Sequence, residues 1–287
     1  KRFYRTSYKR SCRADLKLYV MLFGKKEIDL SKPVVMGIIN VTPDSFYDGG
    51  KYFSSKTKKP LLSKIKASID QMISEGALIV DVGAQTTKPG FRAISEQEEL
   101  DRIMPVLEIL KESPLGVSLD SFSLSVIKES LNYKVDMVNN VFSFESEKTF
   151  DFICSKDLMI SVCHQGGKDL KNNIFKDVNN FFENQFKRFK KSGFDTKKMI
   201  FDPGFGYGKS VNQNLSLLAN IQAVKKDRLL LVGLSQKKFL KYLFEDKQNH
   251  LNKQSYAAAI IAAIGGANIL RVHQVKETVN LLGKVFD

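Results

Sequence analysis

Eight short apolar segments recur along this chain, and their number and spacing limit its fold more than any other feature. Each has the length of a β-strand, and most of the gaps between them carry apolar residues at helical spacing. Continuous apolar runs are typical of strands covered on both faces, as in parallel sheets. The segments are 34–40, 77–82, 115–121, 135–141, 158–164, 199–204, 229–235 and 268–273.

Helix signals lie between these segments. The apolar residues from Leu62 to Ile73 recur at helical spacing, and Gly76 follows them as an expected C-terminal cap. Ser95, with Glu98 three residues later, is typical of a helix start. Alternating strands and helices indicate an α/β fold, which is either a (β/α)8 TIM barrel or a doubly wound sheet.

Polar residues at the strand ends favour the barrel. They end or follow nearly every apolar segment, whereas a doubly wound sheet concentrates them at one switch point. These residues are Asn40, Asp81, Asp120, Asn139, His164, Asp202, Ser235, Arg271 and His273. We therefore predict a (β/α)8 barrel over residues 31–287, preceded by an N-terminal extension or hairpin over residues 1–30.

Composition narrows the class of protein. A chain of 287 residues with 43% hydrophobic residues suits one barrel domain, since such barrels run to ~250 residues. We find no run of ~18 apolar residues that would predict a membrane span, and no apolar signal region at the start. Cys12, Cys154 and Cys163 form neither a metal-ligand spacing nor a disulfide framework. A reducing, cytoplasmic location is expected.

The net charge of +14 has two interpretations. It could attract nucleic acid, or it could reflect a solvated lysine surface that draws in anionic substrates. The lysines are dispersed, and no RNA-binding or zinc-finger motif is present, so we expect no nucleic-acid partner. The dense basic cluster at residues 1–10 is assigned no function.

Three of the strand-end residues suit a flat heterocycle. Asp120, Asn139 and Asp202 would surround the barrel mouth, where two carboxylates and an amide can pair with a ring that carries an amino group and a lactam. Each aspartate alone could instead cap the helix that follows it. Lys237, just after the seventh segment, could donate to a ring nitrogen or carbonyl.

Arg271 and His273 alternate along the eighth segment, so their side chains are expected on one side, as a cation pair for phosphate or diphosphate. A lone histidine at such a position is more often a core residue. The motif "DPGFGYGKS" (202–210) is not a P-loop, because Pro203 stands where the first glycine is required. A glycine-rich turn that lets a ligand approach the backbone is the better interpretation.

Five motifs in this order closely resemble the dihydropteroate synthase family. They are "GIINVTPDSFYDGG" (37–50), "VSLDS" (117–121), "DPGFGYGK" (202–209), "VGLSQK" (232–237) and "ILRVH" (269–273). The resemblance covers residues from about 33 to the end. It implies a homodimeric TIM barrel, a transferase that condenses 6-hydroxymethyl-7,8-dihydropterin diphosphate with p-aminobenzoate in folate biosynthesis. It also implies Mg²⁺ as cofactor and inhibition by sulfonamides, which mimic p-aminobenzoate.

The resemblance also implies roles for individual residues. Residues 40–53 and 83–91 match the two mobile loops of the family. The pterin set is Asp120, Asn139, Asp202 and Lys237. The diphosphate set is Asn40, Thr87, Lys88, Arg271 and His273, with Asn40 also on the metal. The p-aminobenzoate set is Phe46, Thr87, Pro89, Tyr207 and Lys238. The residues expected to assist the reaction directly are Asn40, Lys88, Lys237, Arg271 and His273.

Several positions depart from the family pattern, mostly at the p-aminobenzoate end. They are Lys88, Asn140, Cys163, His164, Gln236, Lys238 and Gln274. Lys88 replaces an arginine and loses its bidentate fork. The implied reaction is dissociative: diphosphate leaves, a resonance-stabilised pterin methylene cation remains, and the aniline nitrogen attacks it.

These departures leave two alternatives on the same scaffold. One is a paralogue with lost or altered activity. The other is a pterin-binding methyltransferase, which shares the Asp–Asn–Asp set, although the "TTKPG" segment (86–90), "GLSQK" (233–237) and "RVH" (271–273) favour diphosphate chemistry. Whether the chain is part of a fused folate enzyme is left open by the sequence.

Overall fold

A computed structural model of the chain describes residues 19–23, 26–43, 50–54, 56–86, 93–166, 173–242 and 251–286. Phe46, Thr87, Lys88 and Pro89 lie outside the described residues. In chain order the strands are β1 (Val20–Phe23), β2 (Lys26–Asp29), β3 (Val34–Asn40), β4 (Phe53–Ser54), β5 (Lys59–Pro60), β6 (Ile79–Gly83), β7 (Gly116–Asp120), β8 (Met137–Asn140), β9 (Met159–Cys163), β10 (Met199–Asp202), β11 (Leu229–Gly233) and β12 (Ile269–Val272).

Eight of these strands form one closed parallel barrel, in the order β3-β6-β7-β8-β9-β10-β11-β12. The barrel closes where β12 pairs with β3, with Ile269 opposite Val34. Each predicted apolar segment overlaps one barrel strand, so the (β/α)8 prediction is confirmed. The strands are buried almost throughout, as expected when helices cover the outside and side chains fill the inside.

Helices pack around the outside of the barrel. They are α1 (Leu62–Ser74), α2 (Glu96–Leu110), α3 (Leu124–Ser130), α4 (Glu147–Cys154), α5 (Ile174–Lys191), α6 (Val211–Ala219), α7 (Gln222–Lys225), α8 (Leu251–Ile264) and α9 (Val275–Phe286). The start of α2 is as predicted, because the Ser95 hydroxyl accepts a hydrogen bond from the Glu98 N–H at 3.2 Å. Gly76 follows α1 with a φ of +92°, the left-handed conformation that a glycine cap supplies.

The β1–β2 hairpin covers the amino-terminal end of the barrel. Its strands pair antiparallel, and Phe23 and Ile28 are buried. They pack with apolar residues from the bottom of the barrel, among them Met36, Ile79, Met137, Met159, Ile200, Leu231 and Ile269. A Cβ at Gly116 would lie 2.5 Å from the Phe23 ring. The glycine at the start of β7 therefore leaves the space that the Phe23 ring of the hairpin occupies. The opposite end of the barrel stays open for a site.

No helix among the described residues is long and apolar enough to cross a membrane.

Candidate active site

A pocket opens at the carboxyl ends of the barrel strands. It is lined by Ile38, Asp120, Asn139, Val141, Cys163, Asp202, Phe205, Tyr207, Gly233, Ser235, Lys237 and Arg271. Parallel strands in a barrel end on one face, which explains how residues from seven different strands and their following turns meet. The structure therefore brings together the whole predicted pterin set, together with Arg271 and Tyr207.

Asp81 on β6 is the polar centre beneath this pocket. Its side chain is fully buried and accepts three hydrogen bonds. The donors are Ser118 Oγ at 2.5 Å, Arg271 Nε at 2.6 Å and Asn139 Nδ2 at 3.3 Å. The Asn139 amide nitrogen is thus directed at Asp81, which leaves its oxygen to accept from a ligand. The sequence placed Asp81 among the strand-end residues, but it was not predicted as part of the site.

Arg271 bridges two carboxylates. Its Nη2 donates to Asp120 Oδ2 at 2.9 Å, in addition to the bond from Nε to Asp81. Burial opposes the charge of Arg271, but attraction to Asp81 and then Asp120 outweighs it and raises the pKa of the guanidinium. Burial, followed by repulsion from Asp81, raises the pKa of Asp120 to about 7, although Arg271 opposes that shift.

Asp202 is held at the end of β10. Its Oδ1 accepts a hydrogen bond from the Gly204 N–H at 2.7 Å. Burial raises the pKa of Asp202, while the Gly204 bond and the charge of Lys237 oppose the shift. Burial likewise raises the pKa of Cys163 well above its usual value, so this pocket residue is a neutral thiol.

The glycine-rich turn after β10 closely approaches another part of the chain. Its Phe205 and Tyr207 also line the pocket, and the expected approach of a ligand to its backbone stays a prediction. A Cβ at Gly204, where φ is +67°, would lie 1.9 Å from the carbonyl oxygen of His164. A Cβ at Gly208, where φ is +61°, would lie 2.1 Å from the oxygen of Gly166. Both neighbours are backbone atoms after β9, so the glycines let two strand-end segments touch.

Lys209 stabilises this turn through three hydrogen bonds. Its Nζ donates to the carbonyl oxygens of Gly204 at 2.8 Å, His164 at 2.9 Å and Tyr207 at 3.3 Å. Burial lowers the pKa of Lys209 to about 8, an effect that Cys163 and Asp202 oppose. Lys209, the lysine of the P-loop-like motif, therefore donates its hydrogen bonds to backbone oxygens of its own chain.

Lys237 and His273 lie on the β11–β12 side of the site. Lys237 Nζ is 4.2 Å from the centroid of the Tyr207 ring, and burial lowers its pKa, opposed by attraction to Asp202. His273 Nδ1 is 2.9 Å from Ser235 Oγ, and burial followed by the charge of Arg271 lowers the pKa of His273 to about 3. Arg271 is therefore charged and His273 is a neutral imidazole at neutral pH, and the pairing of these two residues with phosphate or diphosphate stays a prediction.

Three of the predicted residues that the structure describes lie apart from the pocket lining: His273, Asn40 and Lys238. Asn40 ends β3, is half-buried, and makes no side-chain hydrogen bond to another described residue. Lys238 is exposed at the start of a 3-10 helix, Lys238–Tyr242. The polar side chains of the pocket that sequence reasoning left out of the binding sets are Cys163 and Ser235. Ser235 was noted at a strand end, and Cys163 was noted as a departure from the family pattern.

Three of the residues that depart from the family pattern form side-chain hydrogen bonds. Asn140 is buried, and its Oδ1 accepts from the Phe142 N–H at 2.9 Å. Gln236 Nε2 and Gln274 Nε2 both donate to Asn252 Oδ1 on α8, at 2.5 and 3.1 Å. The two glutamines thus join the loops after β11 and β12 to one helix.

Comparison with known proteins agrees with this geometry. A family model described as "Pterin binding enzyme" matches residues 36–273. The dihydropteroate synthase of Escherichia coli K12 is 37% identical over 264 residues, which cover 89% of this chain and 91% of that protein. The Yersinia pestis dihydropteroate synthase, solved as a sulfonamide drug complex, superposes with a TM-score of 0.84 at 34% identity, covering 93% of this chain and 98% of that one.

A second solved structure contains a pteroate compound. The Xanthomonas albilineans dihydropteroate synthase in complex with 7,8-dihydropteroate has a TM-score of 0.77 and 28% identity, over 91% of this chain and 95% of that one. The family model covers more than half of the chain, and the E. coli relative exceeds 30% identity over nearly all of it. The chain belongs to the pterin binding enzyme family, among the dihydropteroate synthases.

Proposed function

We propose that this chain condenses 6-hydroxymethyl-7,8-dihydropterin diphosphate with p-aminobenzoate, forming 7,8-dihydropteroate and diphosphate. The observation that carries the proposal is the convergence of Asp120, Asn139, Asp202, Lys237 and Arg271 in one pocket at the carboxyl end of the barrel. These groups offer acceptors and a donor for a pterin ring, beside a permanent cation for phosphate.

The pterin end would be recognised by fixed hydrogen-bonding groups. Asp202 is oriented by Gly204 and would accept from the pterin amino group and the adjacent ring N–H. Asn139 would accept through its oxygen, and Asp120 would pair with a further ring N–H. Lys237 would donate to a ring nitrogen or carbonyl. Because these groups are already in place before binding, little ordering would be required of them when the ring enters.

The diphosphate end would lie against Arg271 and His273. Asp81 and Asp120 hold the guanidinium of Arg271 in one orientation, so its remaining N–H groups can face the phosphate oxygens. His273 is neutral and would contribute a hydrogen bond rather than a charge. Thr87 and Lys88 complete the proposed diphosphate set.

The proposed reaction separates bond breaking from bond formation. The C–O bond to diphosphate breaks with its electron pair on the leaving oxygen, and the methylene carbon becomes a cation stabilised by the pterin ring. The p-aminobenzoate nitrogen then donates its lone pair to that carbon and releases a proton to solvent. The chain's own contribution is to position both substrates and to stabilise the negative charge on diphosphate through Arg271 and Lys88.

Mg²⁺ would supply additional positive charge beside the leaving diphosphate, and Asn40 is the protein ligand that we propose for this ion. Described residues contain no group of three or more His, Cys, Asp or Glu side chains that could hold a metal. Mg²⁺ commonly keeps several waters and binds through few protein ligands and substrate phosphates. A single amide oxygen, which is not engaged by another described residue, fits an ion that arrives with diphosphate.

The p-aminobenzoate end is proposed to include Phe46, Thr87, Pro89, Tyr207 and Lys238. Of these, Tyr207 lines the pocket and stands beside Lys237. The Yersinia pestis relative was solved with a sulfonamide drug, and we propose sulfonamides as inhibitors that bind this chain at the same end.

The direct test is a diphosphate-release assay with the dihydropterin substrate, with and without p-aminobenzoate. We expect release that depends on p-aminobenzoate, together with formation of dihydropteroate. Asp202→Ala should lower pterin affinity by roughly 2–4 kcal/mol, because the buried ring donors lose their acceptor. Asp157→Ala, at an exposed aspartate, is the matched control. Near-normal pterin binding by Asp202→Ala in calorimetry would exclude the assigned role.

We also propose a homodimer, in a cytoplasmic setting. Ala258, Ala259 and Ala262 on α8 are buried against the barrel, whereas Ile261 and Ile264 are 40% and 64% exposed. An exposed apolar helix face suits a second copy of the chain. Light scattering should give a dimer mass that Ile264→Lys reduces to a monomer. Leu22→Lys, at an equally exposed leucine on β1, should leave the mass unchanged.

A further inference from the structure

Two charged residues are buried on the inner side of α2, behind the pocket rather than in its lining. Glu99 is 1% exposed and Arg102 is 5% exposed. Fully buried charged side chains are rare unless other groups hold them, and holding such groups has a cost in desolvation. Their partners therefore indicate what this part of α2 does.

Glu99 joins the ends of two neighbouring strands. Its Oε1 accepts from Ser121 Oγ at 2.7 Å, and its Oε2 accepts from Gln85 Nε2 at 2.5 Å. Ser121 directly follows Asp120, and Gln85 stands two residues beyond the end of β6. The oxygen of the Gln85 amide has no hydrogen-bond partner among the described residues, so Glu99 sets the orientation of that amide.

Arg102 supports the same segment from one helical turn further on. Its Nη1 donates to the carbonyl oxygen of Ala84 at 2.9 Å. Its guanidinium also stands 4.6 Å from the centroid of the Phe53 ring, and Phe53 is buried in β4. The segment after β6 is therefore held by its backbone through Arg102 and by a side chain through Glu99.

We propose that Glu99 is a positioning residue for the condensation. It sets the position of Asp120 relative to Ala84 and Gln85, the residues that directly follow β6. This inference rests on the proposed function. Asp120 is assigned to the pterin ring, and Gln85 precedes the proposed diphosphate residues Thr87 and Lys88 by two and three positions. One carboxylate thus fixes the spacing between the strand end that carries Asp120 and the start of the segment that leads to Thr87 and Lys88.

The test compares four variants with a matched control. Glu99→Ala removes both hydrogen bonds, Gln85→Ala and Ser121→Ala remove one each, and Glu99→Gln keeps a side chain of the same shape. Glu108→Ala is the control, since Glu108 lies on the same helix and forms an ion pair with exposed Lys111. We expect Glu99→Ala to lower kcat/KM by about 10- to 100-fold, because small misplacements of catalytic groups cost that much.

The pattern across variants distinguishes positioning from simple stabilisation. Glu99→Gln should recover most of the activity, and adding Gln85→Ala to Glu99→Ala should cause no further loss, since both changes break the same contact. Ser121→Ala should act mainly on pterin affinity. Kinetics of Glu99→Ala within twofold of the unaltered protein would overturn the inference, as would losses that multiply independently in the double variant.

Two further measurements distinguish a failure of this inference from a failure of the proposed function. If Glu99→Ala does not fold, a double variant with Gln85→Ala and Ser121→Ala, compared with the two single variants, still measures the coupling through Glu99. An inactive unaltered chain would contradict the proposed function. Amide hydrogen exchange in the ligand-free protein then still tests the inference: residues 84–86 should exchange faster in Glu99→Ala and not in Glu108→Ala, and equal exchange would overturn it.

Discussion

Arg271 and Asp81 are joined by a 2.6 Å hydrogen bond although 190 residues separate them in the chain. They stand on β12 and β6, and β3 lies between these strands in the barrel. The side chains therefore meet over the one intervening strand, at the mouth of the barrel. Asp81 is fully buried, and Arg271 is 20% exposed. This pair places the strongest cation of the site over its most buried carboxylate.

The first prediction concerns the ligand selectivity of Arg271. Arg271→Ala should weaken binding of the pterin diphosphate at least about tenfold more than binding of a phosphate-free pterin, since a charge-assisted contact contributes about 1.5–3 kcal/mol. Calorimetry with both ligands measures the difference. Lys241→Ala, at an exposed lysine, serves as the control. Equal losses for the two ligands would show that Arg271 does not anchor diphosphate.

The second prediction concerns stability. Arg271→Ala leaves Asp81 and Asp120 facing each other without their shared cation, and breaking such a mostly buried pair costs about 3–5 kcal/mol. Adding Asp81→Asn should restore part of that loss, because the amide removes the like-charge repulsion. Urea unfolding of both variants provides the comparison. If the double variant is less stable than Arg271→Ala, repulsion is not the cause.

The third prediction concerns Lys238, where the resemblance to the dihydropteroate synthases implies a serine. A lysine can pair with the p-aminobenzoate carboxylate, but an exposed pair contributes only ~0–1 kcal/mol, and its length should crowd the bulkier sulfonamide ring. Lys238→Ser should therefore bind sulfonamides better relative to p-aminobenzoate than the unaltered protein does. Lys241→Ser, on the same 3-10 helix, is the matched control. Unchanged affinity ratios in Lys238→Ser would refute the expectation.

The fourth prediction compares two glycines that share a left-handed conformation. Gly204 has a φ of +67° and Gly193 a φ of +81°, so an alanine at either is strained by about 1–2 kcal/mol. A Cβ at Gly193 meets nothing within 4 Å, whereas at Gly204 it would lie 1.9 Å from a backbone oxygen. Gly204→Ala should thus lower Tm considerably more than Gly193→Ala. Similar Tm losses would mean that the turn shifts freely.

The fifth prediction is a pH dependence of stability from His164. Burial, followed by the charge of Lys209, lowers the pKa of His164 to about 3, below the unfolded value of ~6.5. Between these values the unfolded chain binds more protons, so stability falls as pH drops from ~6.5 towards 3.

Replacing the histidine isolates this contribution from the carboxylates, several of which titrate in the opposite sense. His164→Gln should remove up to ~1.4 kcal/mol of destabilisation per pH unit within that window. Urea unfolding at several pH values, with unaltered protein in parallel, measures it. Identical pH slopes in the two proteins would contradict a buried, neutral His164.

The barrel and much of the site follow from local sequence features. Continuous apolar runs and helix signals are properties of neighbouring residues, so eight strands could be placed within a few positions. The strand-end rule then grouped Asp120, Asn139 and Asp202, because a barrel brings all its strand ends to one face. The assigned roles in binding, and the boundary at residue 31, stay predictions.

Other features depend on contacts between distant residues and were not foreseen. Asp81 is central only because Arg271 and Asn139 reach it from other strands. The neutral state of His273 results from burial and from the nearby charge of Arg271, which alternation along a strand does not reveal. Glu99 resembled an ordinary helix residue until its partners after β6 and β7 were located.

The hydrogen bonds of Lys209 determine which residues around this turn can be substituted during evolution. Its three acceptors are main-chain oxygens, which every amino acid carries, so the identity of residues 164 and 207 is not constrained by these bonds. The constraint falls on Lys209 and on the glycine at 204. Substitutions in the neighbouring side chains can therefore accumulate around a turn of constant shape, while a change at Lys209 would release three anchored points at once.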